Sequence, residues 1–330
     1  MAYPADEPLF WMGGLKATKV VEISNDPACL DDGDFWAIST TFEGAFTAAK
    51  FASVEKENFP DAVWNPVRSP WSSFPERDGY MKYVDLIREK IAQGWVYQVN
   101  ACRQLSTEDS NPNLRGLFSL ILKNNPAPWA SYLEIPGLNI ASASPELFLL
   151  RDGNRVTTSP IKGTQPLGSE DFGDKDRSEN IMIVDLMRND LGIICKSGTV
   201  EVSRLLATED HPGLQHLVSD VQGDLVDGIT WTEIIKAISP PGSVSGAPKS
   251  SALTVIAENE NARGPYCGIL GWVQGDKASL SVAIRVFWKD DKLRFGTGAG
   301  ITFSSDSVME WEETELKAAR LTKIASGDNS

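Results

Sequence analysis

Apolar positions recur along this chain with two periods, and the switches between them mark out its elements. Period-two stretches, the mark of strands, include VVEIS, FWAISTTF, WVYQVNACRQLS and SYLEIPGLNIASASPELFLL. Asp152-Gly153-Asn154 separates Glu-Leu-Phe-Leu-Leu from Arg-Val-Thr-Thr, which predicts a tight antiparallel hairpin. Helical spacing appears from Asp78 to Gly94, where Asp78 is placed to cap and Tyr80, Val84, Ile87 and Ile91 form one stripe. A second helix starts near Asp174, a third is TWTEIIKAISP, stopped by Pro240-Pro241, and a last runs from about Ser305 to Ala325. Between the last two, PPGSVSGAPKSSALTVIAE reads as a Gly-rich turn feeding a further helix. Three or four strands follow from Tyr266 to Phe303, with turns at Gly275-Asp276 and Asp290-Asp291. The stretch up to about residue 75 reads as short strands and turns, and its acidity predicts a solvated outer face.

Composition narrows the function. A formal net charge of −14 with no Lys/Arg cluster argues against nucleic acid and anionic membranes as partners. The chain holds no membrane-length apolar run and its first residues do not resemble a signal peptide, so a cytoplasmic location is expected. Four scattered cysteines without a CxxC pair predict small buried hydrophobes rather than a zinc or disulfide framework. Two histidines, His211 and His216, leave little for histidine-metal sites or catalytic triads.

The hairpin carries the first chemistry. Folding it brings Glu146 within about three residues of register with Lys162, at one end of a rigid ribbon. An arbitrary Glu and Lys so placed would form a surface ion pair. Here Ser-Pro precedes Glu146, Pro-Ile precedes Lys162 and Gly163-Thr164 follows it, a setting that favours a catalytic pair. Two acidic pairs come next. Asp176 and Glu179 head a helical stripe that continues through Ile183 and Leu186, and Glu310 and Glu313 head one through Lys317, Leu321 and Ile324. Acids in a first helical turn also suit the helix dipole. Two such stripes facing inward, however, set four carboxylates against each other unless a cation lies between them, and hard oxygen donors select Mg²⁺. Arg285 within an apolar strand is costly unless it meets an anion. GTGAG offers bare backbone N–H groups at a strand edge. The G-x-x-x-G-x-x-K-S spacing around Lys249 does not match a nucleotide-binding phosphate loop. Together these parts describe a site for a small, multiply anionic molecule.

The blocks SPELFLL, SPIKGT, ENIMIVDLMRNDLG, HLVSDV, PPGSVSGAPK, RGPYCGILGW, VAIR, GTGAGI and EETELK resemble, in order, those of the chorismate-using enzymes: anthranilate, aminodeoxychorismate, isochorismate and salicylate synthases. The resemblance covers roughly Asp78 to the C-terminus. It implies an α+β fold of one large domain over residues 1–330, with two packed antiparallel sheets flanked by helices and a shortened, family-variable part over 1–77. It also implies a cleft that takes chorismate and Mg²⁺. By the same resemblance Glu179 and Glu313 match direct Mg²⁺ ligands, and Asp176 and Glu310 match acids that act through water. Ser243, Tyr266, Arg285, Gly298 and Lys317 match positions that hold the substrate's carboxylates. Glu146 matches the general acid at the C4 hydroxyl, and Thr164 and His216 match residues lining the ring.

Two positions sort the family. Members that add water at C2 carry a lysine base where this chain has Gln98, which points to ammonia users. Among those, PIKGT is similar to aminodeoxychorismate synthases and differs from the PIAGT of anthranilate synthases, which implies that Lys162 adds to C2 as a covalent intermediate. None of the four cysteines sits in a G-x-C-x-G elbow, so ammonia is expected from a separate glutamine amidotransferase subunit. No counterpart of the tryptophan-inhibitor motif is evident, and inhibition by tryptophan is not expected. The alternatives are anthranilate synthase component I, then an isochorismate or salicylate synthase, which Gln98 disfavours, and a non-catalytic chorismate-binding homologue, which the intact set of residues disfavours.

Overall fold

The computed structural model describes residues 7–108, 114–169, 172–211 and 214–328. The chain opens with β1 (Leu9–Met12), β2 (Leu15–Ser24), β3 (Phe35–Thr40), β4 (Phe46–Lys56) and β5 (Ser72–Phe74), followed by α1 (Arg77–Ala92). Next come β6 (Gln98–Thr107), α2 (Leu114–Asn124), β7 (Trp129–Ile135), β8 (Leu138–Ser144), β9 (Leu147–Asp152), β10 (Arg155–Ser159) and β11 (Ile161–Pro166). After α3 (Asp174–Ile194) lie β12 (Glu201–His211), β13 (Leu214–Asp224), α4 (Trp231–Ile238), β14 (Gly246–Ala247) and α5 (Lys249–Asn259). The chain closes with β15 (Ile269–Gln274), β16 (Lys277–Val282), β17 (Val286–Lys289), β18 (Leu293–Ile301) and α6 (Ser307–Ala325).

Every pairing is antiparallel. The ladders run β5–β6–β18–β17–β8–β7–β1–β2, with β14 also on β6. They continue β2–β4–β3–β15–β16–β9–β10–β13, and β13 carries β11 beside β10 and β12 on its other edge. This single ribbon folds on itself into two layers, and the period-two burial shows it. In β1, Phe10 and Met12 join the larger core while Leu9 and Trp11 join the smaller; in β17, Val286 and Trp288 face the first and Phe287 the second. The larger core lies between the layers, with Trp36, Leu149 and Ile269 from the second. The smaller core is covered from outside by Leu117 and Phe118 of α2 and Leu321 and Ile324 of α6.

Two neighbouring segments carry the chain between layers. One is Ser144-Pro145-Glu146, between β8 and β9; the other is Ala283-Ile284-Arg285, between β16 and β17. They travel together: Val282 N–H donates to Glu146 O at 3.1 Å, Ala143 N–H donates to Arg285 O at 3.0 Å, and the Ser144 hydroxyl donates to Val282 O at 2.6 Å. Glu146 and Arg285 thus sit on one seam.

Three expectations are corrected. The stretch up to about residue 75 is not wholly an outer face: among its described residues β1 and β3 are buried throughout and lie in the middle of the ribbon, while β5 and much of β2 are exposed. Asp78 does not cap α1: Glu76 holds the N-cap position, with no side-chain cap bond, and Asp78 falls in the first turn. Arg285 is not inside a strand but at the crossing, with φ +50, a left-handed backbone that the change of layer imposes. Cys102, Cys195 and Cys267 are buried free thiols, as expected, whereas Cys29 is a free thiol that is only half-buried. No helix among the described residues is long and apolar enough to cross a membrane.

Candidate active site

The hairpin register puts Leu147 opposite Ser159, so Glu146 stands at the end of the β9–β10 ladder, two residues from the register of Lys162. Pro160 ends β10, and the chain resumes along the same neighbour as β11, with Lys162 opposite Leu217 and Thr164 opposite His216. Between them Gly163 forms a bulge with φ +76, and a Cβ there would lie 2.9 Å from the Phe172 ring and 3.1 Å from Asp176 Cβ. That close approach explains Gly after Lys162 and brings the start of α3 against the lysine strand. Thr164 is described in its backbone only, and His216 is buried beside it.

Glu146 is 5% exposed, and burial pushes its carboxyl up to about 6 against the opposing pull of the neighbouring Ser243 hydroxyl and of the Lys162 charge. Lys162 is half-buried, and desolvation holds its ammonium below the ordinary lysine range although Glu146, Glu179 and Glu313 favour the charged form; Lys317 acts with the burial. Its amine has no hydrogen-bond partner among the described residues. The Arg285 guanidinium is likewise without a hydrogen bond or ion pair there, and burial alone pulls it down. A half-buried guanidinium facing no carboxylate is a place for an anion.

Two helices bring the acids. Asn180 pins α3 by donating to Leu217 O at 3.1 Å and accepting from the Ser219 hydroxyl at 2.5 Å, at the very residue that pairs with Lys162. Its neighbour Glu179 is thereby directed at the lysine. α6 is docked by Arg103 on the Thr314 hydroxyl at 2.8 Å and by the Thr297 hydroxyl on Thr314 O at 2.9 Å. Glu313 pairs with Lys317 at 2.6 Å, Lys317 also donates to Gly298 O at 3.0 Å, and buried Glu310 accepts from Ser305 at 2.6 Å. Among the described residues no three His, Cys, Asp or Glu side chains gather within metal-ligand reach. Glu179 and Glu313 nonetheless act on one amine from different helices. Two carboxylates brought near one point by separate helices suit Mg²⁺, which keeps several waters and takes one or two protein oxygens.

Tyr266 and Gln98 lie along the glycine stripe of β18. A Cβ on Gly296 would collide with the Tyr266 ring, one on Gly298 would lie 3.1 Å from the Tyr266 hydroxyl, and one on Gly300 would collide with the Gln98 amide. Close packing is therefore one use of GTGAG. The edge is the other: Cys102 N–H donates to Glu260 at 3.1 Å rather than to β18, so the facing Gly298 also directs its N–H and C=O away from β6. Gln98 reads from composition as an exposed strand residue. It is in fact buried, and its Oε1 has no hydrogen-bond partner among the described residues. Gly296→Ala should lower the midpoint of thermal unfolding through an overpacking cost of about 1–3 kcal/mol; an unchanged midpoint would show that Tyr266 moves aside freely.

The structure thus brings Glu146, Lys162, Ser243, Glu179, Glu313 and Lys317 into one interacting set, with Gln98 on β6, Gly298 on β18, and Tyr266, from the segment before β15, packed against β18. Asn180 and Arg263 escape a reading by residue chemistry. The only signals were an Asn inside an apolar helical stretch and an Arg before Gly-Pro.

A buried carboxyl, a half-buried amine and a guanidinium without a hydrogen bond among the described residues thus lie where the two sheet layers join. The chain belongs to the chorismate binding enzymes, whose family model matches residues 38–323. It is 34% identical over 312 residues to anthranilate synthase component 1 1 of Haloarcula marismortui, covering 89% of this chain and 64% of that protein. It is 35% identical over 256 residues to aminodeoxychorismate synthase component 1 of Bacillus subtilis, covering 73% and 54%. The chain therefore spans about half to two thirds of the length of these curated relatives. A Bacillus anthracis structure described as a 2,3-dihydroxybenzoate-specific isochorismate synthase superimposes with TM-score 0.83 at 21% identity, covering 98% of this chain and 97% of that one, which shows the fold alone.

Proposed function

We propose that this chain converts chorismate and ammonia to 4-amino-4-deoxychorismate, the precursor of p-aminobenzoate. The observation that carries the reading is Lys162: an amine without a hydrogen-bond partner among the described residues, lowered in pKa by burial and facing a carboxyl raised to about 6. A lysine at its ordinary pKa is almost wholly protonated at neutrality and cannot attack carbon. Here the same burial readies both groups in opposite senses, the amine to lose its proton and the acid to keep one.

Arg285, Lys317, Ser243, Tyr266 and the Gly298 N–H would hold the two carboxylates, and Thr164 and His216 would line the ring. Gln98, buried with an orphaned acceptor, would receive a hydrogen-bond donor such as ammonia. Mg²⁺ bound by Glu179 and Glu313, with Asp176 and Glu310 acting through water, would supply Lewis-acid polarisation of the ring carboxylate. The ammonia would come from a separate glutamine amidotransferase subunit.

A second reading, anthranilate synthase component I, is favoured by the Haloarcula relative and opposed by Lys162. Incubating the purified chain with chorismate, Mg²⁺ and an ammonium salt separates the two, and mass analysis should show 4-amino-4-deoxychorismate. Anthranilate with pyruvate would establish the second reading instead. Isochorismate or unchanged chorismate would defeat both. Product without any amidotransferase is expected, and strict dependence on glutamine would contradict a separate ammonia source.

A further inference from the structure

Arg263 is 1% exposed and touches none of the groups assigned to the reaction, yet its guanidinium makes four directed bonds. Nε and Nη2 grip Glu260 at 2.7 and 2.9 Å, Nη2 also donates to Asn100 O at 2.7 Å, and Nη1 donates to Val244 O at 3.0 Å. The Phe42 ring covers its face at 4.1 Å. Each carbonyl belongs to a segment of the site. Val244 follows Ser243, in the Gly242–Val244 turn, and the Ser243 hydroxyl lies beside Glu146, close enough to favour its ionised form. Asn100 lies two residues beyond Gln98 on β6, and Tyr266 lies three beyond Arg263 itself. Asn100 N–H also donates to Ser245 O at 2.9 Å, so turn and strand are joined directly beside the guanidinium. A bulk-filling side chain would not need such a fork, and a lysine cannot reproduce it.

We propose that Arg263 is a positioning residue, which by tying Val244 and Asn100 together holds the Ser243 hydroxyl against Glu146. This deepens the reading of Glu146 as the acid, but its test does not require turnover. The charged group acting on Glu146 is Lys162 from β11; Arg263 does not act on it directly. Arg263→Lys therefore keeps the cation beside Glu260 while losing the two carbonyl ties. A bond to the ionised form lowers a carboxyl pKa, so loosening it must raise the midpoint.

The experiment follows the titration of Glu146 by the ¹³Cδ signal of labelled glutamate, assigned as the one missing in Glu146→Gln. Ser243→Ala should raise the midpoint by about 1–2 units, the size expected if its hydroxyl makes one hydrogen bond to the ionised carboxyl. Arg263→Lys should raise it in the same direction, and the double variant should go no further than Ser243→Ala. Glu260→Gln, which weakens the grip on Arg263, should give a smaller upward shift and serves if Arg263→Lys does not fold. A midpoint unmoved in both Arg263→Lys and Glu260→Gln, or unmoved in Ser243→Ala, overturns the proposal. So does additivity in the double variant, or failure of both Arg263→Lys and Glu260→Gln to fold, which would make Arg263 a folding residue only. Absence of aminodeoxychorismate in the assay above would defeat the proposed activity while leaving this titration intact.

Discussion

Lys162→Ala should reduce C4 amination of chorismate to background, with any remaining amine product carrying nitrogen at C2. In the proposed reaction a neutral Lys162 amine attacks C2 and forms an N–C2 bond, the two ring double bonds shift, and the C4 hydroxyl departs as water with the proton of Glu146. The adduct's extra proton returns to Glu146. Ammonia then bonds to C4, the double bonds shift back, Glu146 gives its proton to the departing nitrogen so that Lys162 leaves C2 as the neutral amine, and the new C4 ammonium restores a proton to Glu146. Without the lysine, ammonia can reach C2 directly but has no activated C4 to attack. A variant that keeps C2 amination would show that acid, guanidinium and anion cradle remain in place, and that this one amine selects the ring position. Mass analysis of the products checks this, and undiminished 4-amino-4-deoxychorismate would sink the covalent role. Stability should change little. Alanine removes a half-buried cation without a hydrogen bond among the described residues, and against that Glu146 loses its counter-charge.

The acid and the amine were legible because a hairpin's register depends on local residues. Asp152-Gly153-Asn154 sets the turn, period two carries the alignment to Leu147 and Ser159, and Glu146 and Lys162 follow within two residues. The helices bearing Glu179 and Glu313 were legible from their stripes for the same local reason. What could not be read depends on contacts between residues far apart in the chain. Gln98 reads as exposed because nothing nearby says that Gly300, on a strand two hundred residues on, leaves a hollow for its amide. Arg285 reads as a strand residue because its flanks are apolar, and only the pairing of β16 and β17 with different layers shows that the chain must turn there. The buried N-terminal strands were misjudged because acidic turns dominated the composition of a stretch whose strands are apolar. The ring positions that separate an aminodeoxychorismate from an anthranilate synthase came from resemblance. Periodicity can place a lysine at the end of a ribbon, but it does not say which carbon the lysine meets.

Glu146→Gln should lose about 10²–10⁴-fold in turnover while becoming more stable at alkaline pH. The loss follows from removing the proton that the departing hydroxyl needs. Because the acid form is the active one, the wild-type rate per free ammonia should fall as pH rises through about 6, and the variant should lack that limb. The gain in stability follows from the same shift. The Glu146 carboxyl titrates at 4.5 in the unfolded chain and at about 6 when folded, so the folded state binds the proton more tightly. Its contribution is whole below 4.5 and is lost as pH rises through 6, at which point ionised Glu146 costs the fold up to about 2 kcal/mol. Glutamine keeps the volume and never ionises. The full gain is not reached, because Lys162 loses the carboxylate that favours its charged form and must discharge further. Denaturant unfolding at pH 5 and pH 8 checks the sign: the variant and wild type should be nearly equal at the lower value, with the variant ahead at the higher. The reverse order would mean that Glu146 is held ionised by the lysine, an ion pair with no proton to give, and the acid would have to be sought elsewhere.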